Sequence, residues 1–235
     1  TPNPGAPCAG LGNRRLAILD LSPAGHQPMR SADGRWTLVY NGELYNYREL
    51  RAELERLGHT FHSQSDTEVL LAAFAEWGTA GLSRLVGMFA FAIHDGLARR
   101  VTLVRDPFGI KPLYYAITGE TLVFASEIGA ILEFPGVSRR VDPRAYHEFL
   151  TTANTDSGGT TLFADIRQLP AAHFMEVARD WPANAVPARW WQLDLDRELE
   201  VSFEAAAELV REAFLDSMRL HLRSDVPLGF ALSGG

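Results

Sequence analysis

The middle of the chain has the pattern of two successive β-hairpins, and this feature most constrains the fold. Four apolar runs are joined in pairs by turn residues: residues 87–94 with 101–104 around Asp95-Gly96, and residues 113–116 with 121–125 around Thr118-Gly119. Turn residues of this kind between such runs predict antiparallel pairing. A sheet with one apolar face must bury it against a second layer. We therefore expect a region rich in antiparallel strands.

The flanking sequence adds strands and a few helices. Further strands are predicted at residues 15–21, 36–40 and 173–177, and the second of these should end at Asn41-Gly42. N-cap residues precede four helical stretches: Asn46, Ser65, Asp142 and Ser202. Asn46 and Ser65 are each followed three residues later by a glutamate, which is the capping-box spacing. Strands with few helices predict an α+β fold up to about residue 180.

The last third of the chain has a different pattern. Residues 178–200 contain two prolines and few periodic apolar positions, so a linker is predicted at 181–200. Ser202 then begins a long amphipathic helix, and an apolar strand is expected at 226–232 before Ser233-Gly234-Gly235. We expect one domain over residues 1–180 and the first helix and strand of an α/β domain over 201–235.

Composition excludes several classes of protein. The net charge of −7, with acidic and basic residues interspersed, argues against nucleic-acid or anionic-membrane binding. The apolar runs are too short to span a bilayer, and the first residues lack the features of a signal peptide. A single cysteine fits a reducing compartment, so we expect a cytoplasmic protein.

Asn41-Gly42 has two interpretations. Both residues tolerate positive φ, so the pair is typical of a hairpin turn. Alternatively, the Asn41 amide and the Gly42 N–H form an oxyanion hole, with Glu43 beside them to bind an ammonium group. The apolar spacing changes from a period of 2 to 3.6 by Asn46, which argues against a plain hairpin.

Asp66 and Arg15 each have two possible roles, one structural and one in ligand binding. Asp66 can complement a helix dipole, which is worth about 0.3–1 kcal/mol, or it can bind a substrate ammonium. Arg15 precedes the first predicted strand, where an arginine is most often solvated. It can also turn inward and clamp a carboxylate with two hydrogen bonds.

Other reactive residue types have weaker support. Cys8 lies in a Pro/Gly/Ala-rich stretch without a nearby base, so it is interpreted as an incidental loop residue rather than a nucleophile. Three histidines lack the partners of a zinc site: His26, His59 and His62. Asp106 and Glu127 are interpreted as structural partners of Arg105 or Lys111.

Eight stretches resemble, in the same order, the glutamine-hydrolysing asparagine synthetases: NRRLAILDLS, AGHQPM, YNGELYNYRELR, SDTEVLLAAF, LVGMFAFAIHD, RDPFGIKPLYYA, FASEIGAIL and DVPLGFALSGG. The resemblance covers nearly the whole chain. It implies a four-layer αββα glutaminase domain of the N-terminal-nucleophile type. It also implies the start of an ATP-pyrophosphatase-type synthetase domain.

The resemblance implies a reaction and a set of residues. A cysteine nucleophile releases ammonia from glutamine, and ATP with Mg²⁺ activates aspartate, which the ammonia converts to asparagine. Arg15 matches the clamp for the glutamine carboxylate, Asn41 and Gly42 the oxyanion hole, and Glu43 and Asp66 the ammonium ligands. The ATP loop matches four residues: Leu232, Ser233, Gly234 and Gly235. Glutamine, aspartate and ATP are the implied partners, and a homodimer is compatible with the family.

The chain departs from the family at several positions. The N-terminal nucleophilic cysteine has no counterpart, because Cys8 stands only seven residues before Arg15. The family often has histidine where this chain has Asn13. We therefore expect a fragment of a longer enzyme that is inactive in isolation. Two other interpretations stay open: an amidotransferase with another carboxylate acceptor, and a non-catalytic glutamine-binding module.

Overall fold

The structure is a computed structural model that describes residues 9–155, 158–178, 185–196 and 198–229. The described strands are β1 Met29–Arg30, β2 Trp36–Leu44, β3 Gly87–Asp95, β4 Arg100–Arg105, β5 Tyr114–Thr118, β6 Thr121–Ala125, β7 Ile166–Gln168, β8 His173–Ala178 and β9 Ala188–Arg189. The described α-helices are α1 Tyr47–Arg56, α2 Asp66–Trp77, α3 Ile128–Leu132, α4 Pro143–Thr152 and α5 Phe203–His221.

The strands form two antiparallel sheets. Sheet A has the order β1-β2-β3-β4-β8-β9, and sheet B has the order β6-β5-β7. Both predicted hairpins are confirmed, since β3 pairs with β4 and β5 pairs with β6. Gly119 has a φ of 55° in the tight turn of the second hairpin, where a glycine carries no steric penalty.

The alternation of side chains along the strands builds three apolar layers. In β2, Leu38 and Tyr40 pack against α1 and α2, whereas Val39 faces the space between the two sheets. In β3, Phe91 packs in the layer against α1 and α2, and Ala92 faces the space between the two sheets. A third cluster packs sheet B against α3. Successive strand residues point to opposite faces, so this pattern yields the predicted four-layer αββα arrangement.

Helix starts follow the cap predictions with one exception. Ser65, Asp142 and Ser202 each accept a backbone N–H in the first turn of the helix that follows. Asn46 makes no such bond. Its side chain instead accepts the Val86 N–H and donates to the Arg84 carbonyl. The capping-box interpretation of Asn46 is therefore wrong, because tertiary hydrogen bonds use both ends of its amide.

Two strand predictions near the chain ends are wrong. Residues 15–21 form no strand, and Leu16 and Leu21 are 84% and 58% exposed. An alternating segment becomes a strand only when a neighbour completes its ladder, and none of the described strands pairs with it. Residues 226–229 are also not in a strand, and residues 230–235 lie outside the described part.

Asn41-Gly42 does not form a turn. Strand β2 continues through both residues and pairs with β3 from Trp36 opposite Asp95 to Leu44 opposite Gly87. The hairpin interpretation, and the end of the strand at Asn41, are therefore corrected. Ala188–Arg189, inside the predicted linker, pair with β8 at the edge of sheet A. No helix in the described ranges is long and apolar enough to cross a membrane.

Candidate functional site

A cavity of about 610 Å³ opens where the two sheets meet the segment before β1. Its walls come from several parts of the chain: residues 12–19, strand β2, the start of α2, strand β3, residues 111–113 and the β6–α3 junction. Five residues predicted as a glutamine site lie in this one lining: Arg15, Asn41, Gly42, Glu43 and Asp66. The fold therefore brings together positions that are far apart in sequence.

Arg15 enters the cavity from an extended segment. Odd-numbered residues from 11 to 17 are half-buried, while the even-numbered ones between them are exposed. This alternation turns Arg15 inward and Arg14 outward. The Arg15 Nη2 donates to the carbonyls of Leu19 at 2.5 Å and Asp20 at 2.8 Å. Its Nε–H and Nη1–H groups have no hydrogen-bond partner among the described residues, so they can serve a ligand.

Asp66 is the first residue of α2 and is only 5% exposed. Its Oδ2 accepts the Tyr40 hydroxyl at 3.0 Å and the Leu44 N–H at 2.9 Å, so the carboxylate is tied to β2. Burial raises the pKa of Asp66, although these hydrogen bonds oppose that effect. A desolvated carboxylate of this kind gains most from a cationic partner.

Glu43 directly follows the Asn41-Gly42 step on β2. Burial, followed by the nearby Asp66 carboxylate, raises the pKa of Glu43. Lys111 and His221 act in the opposite direction. Glu43 and Asp66 therefore form a pair of like charges in a partly desolvated site, which favours binding of an ammonium group.

Asn41 and Gly42 lie on β2 at a point of close approach to β3. The Asn41 Nδ2 donates to the Ser126 hydroxyl at 3.2 Å, which leaves its second N–H for another acceptor. Gly42 has a φ of 152°, and a Cβ at this position would lie 2.1 Å from the Met88 carbonyl oxygen. No other residue fits there without moving the backbone of β3.

Several polar cavity residues were not predicted as part of the site, among them Asn13, Lys111 and Ser126. Asn13 Nδ2 donates to the Tyr40 carbonyl at 3.3 Å, while its Oδ1 is buried without a partner among the described residues. The inward alternation of residues 11–17 could have indicated Asn13. No sequence signal indicated Ser126, because its role depends on the approach of the two sheets.

Other predicted residues lie elsewhere. Cys8 and the predicted ATP loop at 232–235 are outside the described residues. His59 bonds to Glu76 at 2.9 Å, and no cluster of metal-ligating side chains occurs in the described ranges. Glu127 is exposed at the start of α3 and lines the cavity, rather than forming a buried ion pair.

Asp106 also differs from its predicted role as a charge partner. Its carboxylate accepts backbone N–H groups, namely those of Phe89, Phe108, Ile110 and Lys111. Arg105 donates to three backbone carbonyls. Both side chains therefore hold the loop after β4 through main-chain contacts, and this loop presents Lys111 to the cavity.

The charges of the cavity match an amino-acid zwitterion. Arg15 supplies a cation with free donors, Glu43 and Asp66 supply two anions, and Asn41 and Gly42 supply neutral donors. A family model described as a glutamine amidotransferase domain matches residues 5–191. The chain belongs to the glutamine amidotransferase domain family.

Full-length relatives of this amidotransferase domain include two Bacillus subtilis (strain 168) proteins. Asparagine synthetase [glutamine-hydrolyzing] 3 is 36% identical over 231 residues, and asparagine synthetase [glutamine-hydrolyzing] 1 is 36% identical over 234 residues. Amidase chry2 of Gibberella zeae is 32% identical over 229 residues. Each match covers 96% of this chain but only 36%, 35% and 33% of the respective relative. The chain thus spans about a third of their length.

Solved structures agree on the fold of the amidotransferase domain. The glutamine phosphoribosylpyrophosphate amidotransferase from B. subtilis, complexed with ADP and GMP, superimposes with a TM-score of 0.54. It is 22% identical, and the match covers 77% of this chain and 34% of that structure. The α+β fold with antiparallel sheets is thereby confirmed.

Proposed function

We propose that the cavity binds L-glutamine as a zwitterion and stabilises the oxyanion that forms during hydrolysis of its side-chain amide. The observation that carries this proposal is that Arg15, Asn41, Gly42, Glu43 and Asp66 line a single cavity. Family membership supports the same substrate.

Each side chain has a role in this proposal. The free N–H groups of Arg15 bind the α-carboxylate, and Glu43 with Asp66 binds the α-ammonium. When a nucleophile attacks the amide carbon, the carbonyl π electrons move onto the oxygen. The Gly42 N–H and the second Asn41 N–H would then donate to this oxyanion. Loss of one such donor costs about 2.7–4 kcal/mol in other enzymes.

The nucleophile is not among the described cavity residues. The lining includes the hydroxyls of Thr67 and Ser126 but no cysteine, and Cys8 lies outside the described residues. We therefore predict that these 235 residues alone bind glutamine without releasing ammonia from it. Ammonia production by the purified chain would contradict this expectation.

We further propose that the complete gene product makes asparagine from aspartate, with ATP and Mg²⁺. Two relatives named asparagine synthetase support this finer proposal. The residues expected to hold ATP lie at 232–235, outside the described part, so no step is assigned to them. Transfer to another carboxylate is the second candidate, since one relative that is 32% identical over 229 residues has a different name, amidase chry2. A non-catalytic glutamine-binding module is the third.

The binding proposal is tested by titration calorimetry of the chain with L-glutamine. Arg15→Ala should weaken binding roughly tenfold or more, because the substrate loses a charged hydrogen-bond partner. Arg30→Ala is the matched control, since Arg30 is exposed on β1 away from the cavity. Equal affinities for the two variants would contradict the proposal.

The acceptor is tested with the complete gene product. Glutamine, ATP, Mg²⁺ and aspartate should together yield asparagine and AMP. If AMP forms only with a different carboxylate, the second candidate is correct. If glutamine binds but neither ammonia nor AMP appears with any acceptor, the non-catalytic module is correct.

A further inference from the structure

Residues 19–25 surround the guanidinium of Arg15 and form what is named the Arg15 seat. Its Nη2 donates to the Leu19 and Asp20 carbonyls, and a Cβ on Gly25 would lie 2.5 Å from the same nitrogen. The position of the guanidinium therefore depends on the backbone at Asp20. A shift of that backbone would move the groups that remain free for a carboxylate.

Asp20 is held in an unusual conformation from several sides. Its φ of 52° is uncommon for a residue other than glycine, and the residue is 8% exposed. Its Oδ1 accepts the N–H and the hydroxyl of Ser22, and its Oδ2 accepts the Gln64 N–H at 2.8 Å. Backbone strain persists only where the surroundings determine it in this way.

The Gln64 contact links Asp20 to the anionic end of the cavity. Gln64 precedes Ser65, which caps α2, and Asp66 follows directly. The Asp20 side chain thus holds the start of α2, while its carbonyl holds Arg15. One residue fixes both the cation and one of the anions of the cavity.

The segment after α5 reaches the same point. Asp225 Oδ2 accepts the Asp20 N–H at 2.8 Å, and the Asp225 N–H donates to the Ile18 carbonyl at 3.1 Å. Nearby, Arg223 forms two 2.6 Å hydrogen bonds to the Glu49 carboxylate and one to the Tyr45 carbonyl. The segment is therefore anchored on the first domain beside the Arg15 seat.

We propose that Asp20 is a positioning residue for binding of the α-carboxylate of glutamine. Asp225, in the segment after α5, fixes the position of the Asp20 backbone. Contacts made by the region after α5 would then change glutamine affinity through the chain of bonds from Asp225 to Asp20 to Arg15. This inference rests on the proposed function, and it adds a route by which the region after α5 acts on the glutamine site.

Asp225→Ala tests the route with two ligands, L-glutamine and 4-aminobutanamide, which is glutamine without its α-carboxylate. The variant should bind L-glutamine about threefold to tenfold more weakly, the effect of one lost hydrogen bond. It should bind 4-aminobutanamide as the wild type does. Asp225→Asn retains an acceptor oxygen and should restore binding. Asp216→Ala, an exposed change on α5, is the matched control.

Asp20→Asn tests the positioning residue itself. The asparagine keeps one oxygen for Ser22 but places an N–H₂ group toward the Gln64 N–H, so the link to α2 is lost. Glutamine affinity should fall at least as much as in Asp225→Ala.

The outcomes separate the two proposals. Wild-type binding of both ligands, with no loss in Asp225→Ala or Asp20→Asn, overturns this inference alone. An equal loss for both ligands in Asp225→Ala also overturns it, because it indicates a general structural effect. No binding of glutamine by the wild-type chain overturns the proposed function and this inference together.

Discussion

At Asp66, the stability of the fold and the binding of a ligand have opposite requirements. Its carboxylate is nearly fully buried, and its hydrogen bonds come from the Tyr40 hydroxyl and from the backbone N–H groups of Leu44 and Thr67 rather than from a cation. Burial raises its pKa, so its ionised form is less favourable in the folded chain than in the unfolded chain. Such a cost is retained where a ligand ammonium supplies the missing charge.

Asp66→Asn should therefore separate stability from binding. The amide oxygen can accept from both Tyr40 and Leu44, so the free energy of unfolding should rise or stay within about 1 kcal/mol of wild type. Glutamine binding should weaken by about 2 kcal/mol or more, roughly thirtyfold. Urea unfolding and calorimetry measure the two quantities, with exposed Asp216→Asn as the control. A variant that binds as tightly as wild type would contradict the role given to Asp66.

Gly42 offers a steric test at the residue scale. A Cβ there would clash with the Met88 carbonyl, whereas Gly34 has a φ of 71° and a Cβ added to it would meet no heavy atom within 4 Å. Gly34→Ala should cost only the left-handed backbone penalty, about 1–2 kcal/mol. Gly42→Ala should cost about 1–3 kcal/mol more, because β3 must move. Equal losses in urea unfolding would show that the strands do not approach so closely.

Side-chain chemistry predicted part of the site. Arg15, Asn41 and Asp66 could be proposed because a zwitterion and an amide need those groups, and all three line one cavity. Asp20 was missed, although an aspartate two residues before Ser22 is a turn signal. Its contacts with Gln64 and Asp225 depend on tertiary structure and carry no local signal.

At the scale of elements, the hairpin between β3 and β4 is held by a buried carboxylate. Asp95 is 2% exposed, accepts the Leu97 and Ala98 N–H groups, and pairs with Arg35 through two hydrogen bonds. The hydrogen bond from Arg35 is the largest contribution, and it lowers the pKa of Asp95 to about 2 from an ordinary value of 3.8.

The lowered pKa predicts a specific loss of stability in acid. A folded-state pKa below the unfolded value stabilises the fold above about pH 4, and this stabilisation disappears as the pH falls from about 4 toward 2. Asp95→Asn should lower the Tm at pH 7 and flatten its dependence on pH in that window. A variant whose Tm falls as steeply with acid as that of wild type would contradict this assignment.

Elements were predictable where local signals were sufficient. The turn at Gly119 and the caps at Ser65 and Asp142 are local, and the structure confirms them. Strand β2 passes through Asn41-Gly42 because nine residues pair with β3, and this pairing overrides the turn preference. Residues 15–21 do not form the predicted strand, because none of the described strands pairs with them.

At the scale of the whole molecule, the sandwich forms the cavity where its two sheets meet the segment before β1. Helix α5 begins at its predicted cap but leaves Val210 and Phe214 70% and 62% exposed. The amphipathic pattern predicted this apolar face, but no sequence signal showed that Arg223 and Asp225 would anchor its end beside the cavity.

Acidification should weaken glutamine binding. It should also reduce the destabilisation of the fold that the buried Asp66 carboxylate causes. The pKa values of Glu43 and Asp66 are both raised, mainly by burial, so the two carboxylates take up protons at a higher pH than exposed ones. Glutamine affinity should therefore begin to fall on acidification while the protein is still folded. Calorimetry at several pH values, with circular dichroism as the folding control, checks this. An affinity independent of pH down to the unfolding transition would contradict it.

The most direct measurement is a crystal structure of the chain grown with saturating L-glutamine. Its α-carboxylate should lie within hydrogen-bond distance of Arg15, its α-ammonium should contact Glu43 and Asp66, and its amide oxygen should face Asn41 and Gly42. Glutamine bound at another surface, or a cavity without it at saturating concentration, would contradict the proposed site.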